Sequence, residues 1–168
     1  LYFFHTVPRY PDDDYRPVVD QVAALSTTGD AIITVHPWQA GYFYAYLPDN
    51  DVRPTIVLTP REVLPREKQL WAEDPGRMVA DLDALLATHE RLWLADHQVM
   101  GRVLEEQIEA YLVTHAYPVL RQWHGENTIL SLFAAGAPEA SGATARLGDW
   151  LALTGANLPS DPIPAGTG

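Results

Sequence analysis

Three residues with the chemistry of a metal or acid–base site fall at the ends of two predicted strands. His36 follows the apolar run 31–35. Asp96 and His97 end a second apolar run, which begins at Arg91. Both runs have the length and the Ile, Val and Leu content of strands that are buried on both faces of a parallel sheet. If the two strands are neighbours, their carboxyl ends bring two imidazoles and a carboxylate to one edge of the sheet.

The spacing of these histidines argues against a metal site. They form neither an HxxxH nor an HxH pattern, and histidines after strands commonly cap loops or bond to the backbone. We therefore favour solvated loop histidines, and keep a metal or acid–base enzyme using His36, Asp96 and His97 as an alternative. The sequence predicts no metal ion, no cofactor and no catalytic residue in this chain.

The residues after His36 are rich in aromatic side chains. They include Trp38, Tyr42, Phe43, Tyr44 and Tyr46, and at helical spacing Tyr42 and Tyr46 share one face of a predicted helix. Flat aromatic rings suit the apolar face of a sugar, and at such a site Gln39 and His36 would bond to sugar hydroxyls. The same spacing is also typical of rings packed between a helix and a sheet. The pattern thus leaves a ligand surface and core packing as alternatives, with core packing favoured.

A further candidate lies in the irregular segment 59–74, which contains two prolines and is a candidate mobile flap with a short helix near Trp71. Arg61 and Arg66 have the chemistry of a phosphate clamp. Their acidic neighbours favour a loop held by surface ion pairs instead.

Composition excludes several classes of function. The 168 residues are 47% hydrophobic and 20% charged, which is typical of about one ordinary globular domain. The formal net charge of −11 would repel nucleic acid, so we expect no nucleic-acid partner. The chain has no cysteine, which excludes disulfides, thiolate metal sites and a cysteine nucleophile.

Helical and strand patterns alternate along the chain and predict the elements that position these residues. Apolar residues at helical spacing are Val18, Val19, Val22, Ala23 and Leu25, then 39–47, then Val79, Leu82, Leu85 and Leu86, and finally Leu104, Ile108, Tyr111 and Leu112. Predicted strands are 31–35, 55–58, 91–96, 119–123 and 128–134, with a hairpin loop at 125–127. This order predicts a three-layer, Rossmann-like α/β/α fold. Its sheet of about five strands is mainly parallel and ends in an antiparallel hairpin.

The composition divides the chain into three parts. We expect an α/β domain over 1–136, a linker over 137–145 and a tail over 146–168 that contains one strand at 147–153. No run of about 18 apolar residues and no signal peptide is found. The abrupt apolar opening, 1–4, suggests that the chain was excised from a larger protein. Motifs for dinucleotide binding, the phosphate loop and the α/β-hydrolase elbow are lacking.

Several short motifs, in this order, resemble one known family over about residues 12–135. They are Asp14-Tyr15-Arg16 before a helix, Gly29-Asp30 before a strand, His36-Pro37-Trp38-Gln39 with its Tyr-rich helix, Arg91-Leu92-Trp93-Leu94, and the hairpin from Tyr117-Pro118 to Leu132. The family is the C-terminal domain of bacterial polytopic membrane glycosyltransferases of the dolichyl-phosphate-mannose-protein mannosyltransferase type (GT-C class). The tail resembles the truncated start of a β-sandwich module that can follow this domain.

The resemblance implies a role without catalysis. In such enzymes the acidic catalytic residues lie in loops between transmembrane helices, and the donor sugar is carried on a polyprenyl phosphate. This chain would be the accessory domain on the extracytoplasmic face of the membrane, tethered through an N-terminal transmembrane region and touching the acceptor or its glycan. The alternative is a stand-alone module that binds a small molecule or a carbohydrate. Under either hypothesis the binding residues are His36, Trp38, Gln39, Tyr42, Tyr46, Arg61, Asp96 and His97.

Overall fold

The computed structural model describes residues 14–63, 67–98, 101–136, 145–147 and 151–153. The helices are α1 (Arg16–Leu25), α2 (Pro37–Tyr46), α3 (Leu70–Glu73), α4 (Pro75–Thr88) and α5 (Val103–His115). The strands are β1 (Asp30–Thr34), β2 (Thr55–Leu58), β3 (Arg61–Val63), β4 (Glu67–Gln69), β5 (Arg91–His97), β6 (Tyr117–His124), β7 (Thr128–Ala134), β8 (Ala145–Leu147) and β9 (Leu151–Leu153).

Five strands form one mixed sheet in the order β2-β1-β5-β7-β6. The strands β2, β1 and β5 are parallel, while β7 runs antiparallel to both β5 and β6. The predicted fold class is therefore confirmed, together with the closing hairpin around Gly125. This glycine has a φ of 58°, a backbone conformation that favours glycine in the turn.

The sheet separates two apolar cores. On one face, α1 and α2 pack against side chains such as Ile32 and Trp93. On the other face, α4 and α5 pack against side chains such as Ile33 and Leu94. Successive residues of one strand point to opposite faces, so β1 and β5 contribute to both cores. Burial on both faces explains their continuous apolar sequences.

The amino ends of β1 and β5 are joined by a buried ion pair. Arg91 donates to both carboxylate oxygens of Asp30, at 2.8 and 2.7 Å. Trp93 Nε1 and the backbone N–H of Thr27 also donate to this carboxylate, at 3.0 and 3.1 Å. Burial alone would raise the pKa of Asp30, but these hydrogen bonds and the charge of Arg91 lower it below its ordinary value.

Two expectations about segments near the edge of the sheet need correction. Strand β2 was expected to be buried, but it is the edge strand, and Leu58 at its end is exposed. The segment 59–74 was expected to be irregular, but it contains the antiparallel pair β3–β4. The short helix expected near Trp71 is confirmed as α3.

Three further details differ from the sequence patterns. Leu25 and Val79 are exposed, because the buried stripes of α1 and α4 consist of neighbouring residues such as Val22 and Met78. The prediction of a single strand at 147–153 is wrong, because two short strands, β8 and β9, pair antiparallel with each other in this region. Within the described residues, none of the helices is long and apolar enough to cross a membrane.

Candidate functional site

The candidate site is a crevice at the carboxyl ends of β1 and β5. These strands are parallel neighbours, and the chain leaves them toward opposite faces, through α2 after β1 and α5 after β5. Such a divergence is where open α/β sheets bind their ligands. The rings of His36 and His97 lie at this edge with their centroids 6.0 Å apart, as the adjacency of the strands predicts.

The buried side chain of Gln39 forms hydrogen bonds that stabilise this edge of the sheet. Its side-chain oxygen accepts from the backbone N–H groups of Val35 and His36, at 3.0 and 2.9 Å. Its amide donates to the Tyr15 hydroxyl and to the carbonyl of Ala95, at 3.0 and 2.9 Å. The side chain is fully buried, so in this structure it ties α2, β5 and Tyr15 together and leaves no surface for a ligand.

Glu105 is a site residue that the sequence analysis missed. It lies in the first turn of α5, is 3% exposed, and its Oε1 is 3.0 Å from His36 Nε2. Burial alone would raise the pKa of Glu105, but the hydrogen bond from His36 and weaker contributions lower it below its ordinary value. A signal was present, because helical spacing places Glu105 on the buried face with Ile108 and Leu112.

Asp96 points toward the α5 side of the sheet and pairs with a different partner. Its Oδ2 accepts from Arg102 at 2.8 Å and from Gln98 at 2.6 Å. Its Oδ1 is buried and has no hydrogen-bond partner among the described residues. Burial raises the pKa of Asp96, and this effect and nearby Glu109 outweigh the opposing charge of Arg102.

Aromatic rings form the wall of the crevice. Trp38 is 41% exposed, its ring stacks on His36 at 5.8 Å, and it meets His97 edge to face at 5.1 Å. The crevice has a volume of about 300 Å³ and is lined by Tyr15, Trp38, Tyr42, His97 and Asn127. Burial raises the pKa of Tyr15, so its hydroxyl remains protonated at neutral pH. Asn127 reaches the crevice because the turn before β7 returns to the end of β5, where its carbonyl accepts from Gln98.

The remaining aromatic residues of α2 divide between core and surface. Phe43 is fully buried against the sheet, as core packing predicts. Tyr44 and Tyr46 are exposed, and Tyr46 stacks on Tyr42 with ring centroids 5.8 Å apart. The helix therefore buries one ring and presents the others at the surface beside the crevice.

Arg61 lies at the start of β3, beside the same edge of the sheet, and donates a hydrogen bond to the carbonyl of Val35. Thr59 donates to that carbonyl at 3.3 Å, so β1 and the segment after β2 are linked where β1 ends. Arg66 lies outside the described residues.

No protein-family model, curated protein or solved structure matches this chain. Its chemistry must therefore be inferred from the crevice itself. Among the described residues, no three His, Asp or Glu side chains are grouped so that they could hold a metal ion. The carboxylate of Asp96 is paired with Arg102, and that of Glu105 lies 3.0 Å from His36 Nε2. An aromatic wall with an imidazole and an amide at its edge suits a ligand with a flat apolar face and several hydroxyl groups.

Proposed function

We propose that this chain is a non-catalytic, carbohydrate-binding accessory domain of a membrane glycosyltransferase that uses a polyprenyl-phosphate-linked sugar. The proposed location is the extracytoplasmic face of the membrane, with a transmembrane region of the same polypeptide as its partner. The observation that carries the binding role is the aromatic crevice of about 300 Å³ at the divergence of β1 and β5. The glycosyltransferase context is supported by the resemblance of the sequence motifs.

Each lining residue has a role in this proposal. Trp38 presents its ring to the apolar face of a pyranose, with Tyr42 beside it at a centroid distance of 6.5 Å. His97 and Asn127 line the same crevice and offer polar groups to the sugar hydroxyls. The neighbouring carboxylates contact other residues at this edge of the sheet, Asp96 with Arg102 and Glu105 with His36, so the proposal gives neither of them a contact with the sugar.

Titration of the 168-residue chain with methyl α-mannopyranoside and methyl β-glucopyranoside, followed by ligand-observed NMR and tryptophan fluorescence, tests the binding role. We expect saturable binding of at least one sugar, weakened about tenfold by Trp38→Ala through the loss of stacking and buried area. Trp123→Ala is the matched control, since this tryptophan is 54% exposed and does not line the crevice. Equal affinities of wild type and Trp38→Ala would overturn the assignment of the crevice.

The alternative is a stand-alone binding module, which is favoured by the fact that described residues of this chain suffice to form the crevice. Antibody raised against the domain and applied to fractionated cells distinguishes the two. A band that requires detergent and is far larger than 18.7 kDa is the result expected for an accessory domain. A native polypeptide near 18.7 kDa that partitions without detergent would support the stand-alone module.

A further inference from the structure

A second depression adjoins the crevice along α2. It has a volume of about 280 Å³ and is lined by Trp38, Gly41, Tyr42 and Tyr46. Trp38 and Tyr42 also line the crevice, so these two rings form a wall shared by both spaces.

Gly41 lines the second depression and contributes no side chain to it. This glycine lies in the middle of α2, where alanine would favour the helix more. Its backbone does not require glycine, since its φ is not positive. A Cβ built at this position would have no atom within 4 Å, so close packing does not require glycine either. The position of Gly41 is therefore open space within the second depression, and a large side chain placed there would fill it.

The spacing of the rings repeats along the helix. Residues four apart rise ~6 Å along a helix axis, so Trp38, Tyr42 and Tyr46 form a ladder with one ring per turn. The ring centroids of Trp38 and Tyr42 are 6.5 Å apart with the rings nearly perpendicular, whereas Tyr42 and Tyr46 are stacked with centroids 5.8 Å apart. Rings placed at successive turns give successive apolar contacts along the helix, as a linear sugar chain requires.

The charge of the surface favours a neutral ligand. None of the described residues that line either space is an acid, a lysine or an arginine. Arg16 lies within electrostatic range of the hydroxyl groups of Tyr42 and Tyr46. Its guanidinium is hydrogen-bonded to the Asp14 carboxylate, at 2.8 and 2.9 Å. The net charge of −11 would further repel an anionic glycan.

We infer that the crevice and the second depression are adjoining subsites for consecutive residues of a neutral, linear oligosaccharide. The inference rests on the proposed function and goes further, because it names a sugar chain rather than a single sugar as the ligand. The crevice is the inner subsite, and the depression around Gly41 is the outer subsite. Trp38 contributes to both, whereas Tyr46 and Gly41 contribute to the outer subsite alone.

The test compares affinities for sugars of increasing length. The probes are methyl α-mannopyranoside, α-mannobiose and α-mannotriose, with methyl β-glucopyranoside, cellobiose and cellotriose as a second series. In one series we expect the disaccharide to bind about three- to tenfold more tightly than the monosaccharide, as one further ring contact provides. Gly41→Leu should abolish this gain by filling the outer subsite, so that this variant binds the disaccharide no more tightly than it binds the monosaccharide. Gly41→Ala is the matched control and should keep most of the gain in a helix that is more stable.

A second pair of variants avoids any effect on the backbone. Tyr46→Ala should also abolish the gain, whereas Tyr44→Ala should not, because Tyr44 is exposed on the same helix but lines neither subsite. Monosaccharide binding with no gain for longer sugars would overturn the two-subsite inference and leave the proposed function standing. Failure of every probe to bind would overturn both.

Discussion

The two ends of the β1–β5 strand pair each bury an aspartate beside an arginine, yet the two pairs are built differently. At the amino ends, both oxygens of Asp30 are hydrogen-bonded, by Arg91 and by further donors. At the carboxyl ends, one oxygen of Asp96 is satisfied and the other has no partner among the described residues. The pKa of Asp30 is lowered accordingly, whereas burial raises the pKa of Asp96.

This contrast distinguishes an edge that stabilises the fold from the edge at which we propose binding. A fully hydrogen-bonded buried pair stabilises the fold, while a partly satisfied one leaves the fold less stable than it would otherwise be. Incomplete satisfaction is found at the edge where the crevice lies, together with the exposed ring of Trp38. Functional edges commonly sacrifice stability in this way. The following predictions challenge this contrast, beginning with the largest expected effect.

Replacing Asp30 with asparagine should destabilise the fold by about 3 kcal/mol, because the partly exposed Arg91 then loses the charge of its fully buried partner. The lowered pKa of Asp30 stabilises the folded state above the ordinary value of 3.8, and this contribution is lost as pH falls through the lower folded-state pKa. The loss in Asp30→Asn should therefore shrink in acid. Urea unfolding at several pH values measures this loss of stability.

The control is Asp20→Asn, at an exposed position of α1, which should change stability by less than about 0.5 kcal/mol. A loss in Asp30→Asn no larger than in this control would remove the contrast.

Replacing Glu105 with glutamine should destabilise the fold by about 1–3 kcal/mol, because an amide then replaces the buried carboxylate that lies 3.0 Å from His36 Nε2. Because the pKa of Glu105 is lowered, its contribution is present above the ordinary value of 4.5 and is lost as pH falls further. The same change should weaken sugar binding. The His36 ring stacks on Trp38, and without the Glu105 carboxylate it would lose the contact that positions it. Urea unfolding, sugar titration and the NMR signals of the His36 ring nitrogens report these effects separately.

The control for this variant is the neighbouring Glu106, which is exposed and pairs with Arg102 at 3.4 Å. Glu106→Gln should cost less than about 0.5 kcal/mol. If it weakened sugar binding as much as Glu105→Gln, the crevice would not depend on the His36–Glu105 contact.

The fold could be predicted from sequence because its cues are local. Continuous apolar runs predicted β1 and β5, and apolar residues at helical spacing predicted α4. This helix begins where the Asp74 side chain accepts from the backbone N–H of Arg77. Position within the sheet is not a local property. The apolar sequence of β2 indicates a strand but not that it forms the edge, since that depends on which strand pairs with β1 on its other side.

The candidate site was predictable in place but not in composition. The carboxyl ends of neighbouring parallel strands meet at one edge of the sheet, and this rule predicted that His36 and His97 lie close together there. Glu105 and Asn127 come from segments that are distant along the chain, and only the packed fold brings them to that edge. The pattern at 38–46 identified a rich aromatic surface, but the orientation of each ring depends on how α2 is rotated against the sheet.

Replacing Asp96 with asparagine should change stability less than Asp30→Asn or Glu105→Gln, by about 1 kcal/mol at most at neutral pH, because loss of the Arg102 pair is offset by removal of a poorly satisfied buried charge. The sign of its pH dependence is the sharper test. Since the pKa of Asp96 is raised, ionisation of this group costs stability as pH rises through its folded-state value, and the cost is absent below 3.8. Asp96→Asn should therefore gain stability relative to wild type as pH rises, whereas Asp30→Asn should lose it. Urea unfolding of both variants from pH ~3 to ~7 gives the two slopes, and slopes of the same sign would show that the two edges are electrostatically alike.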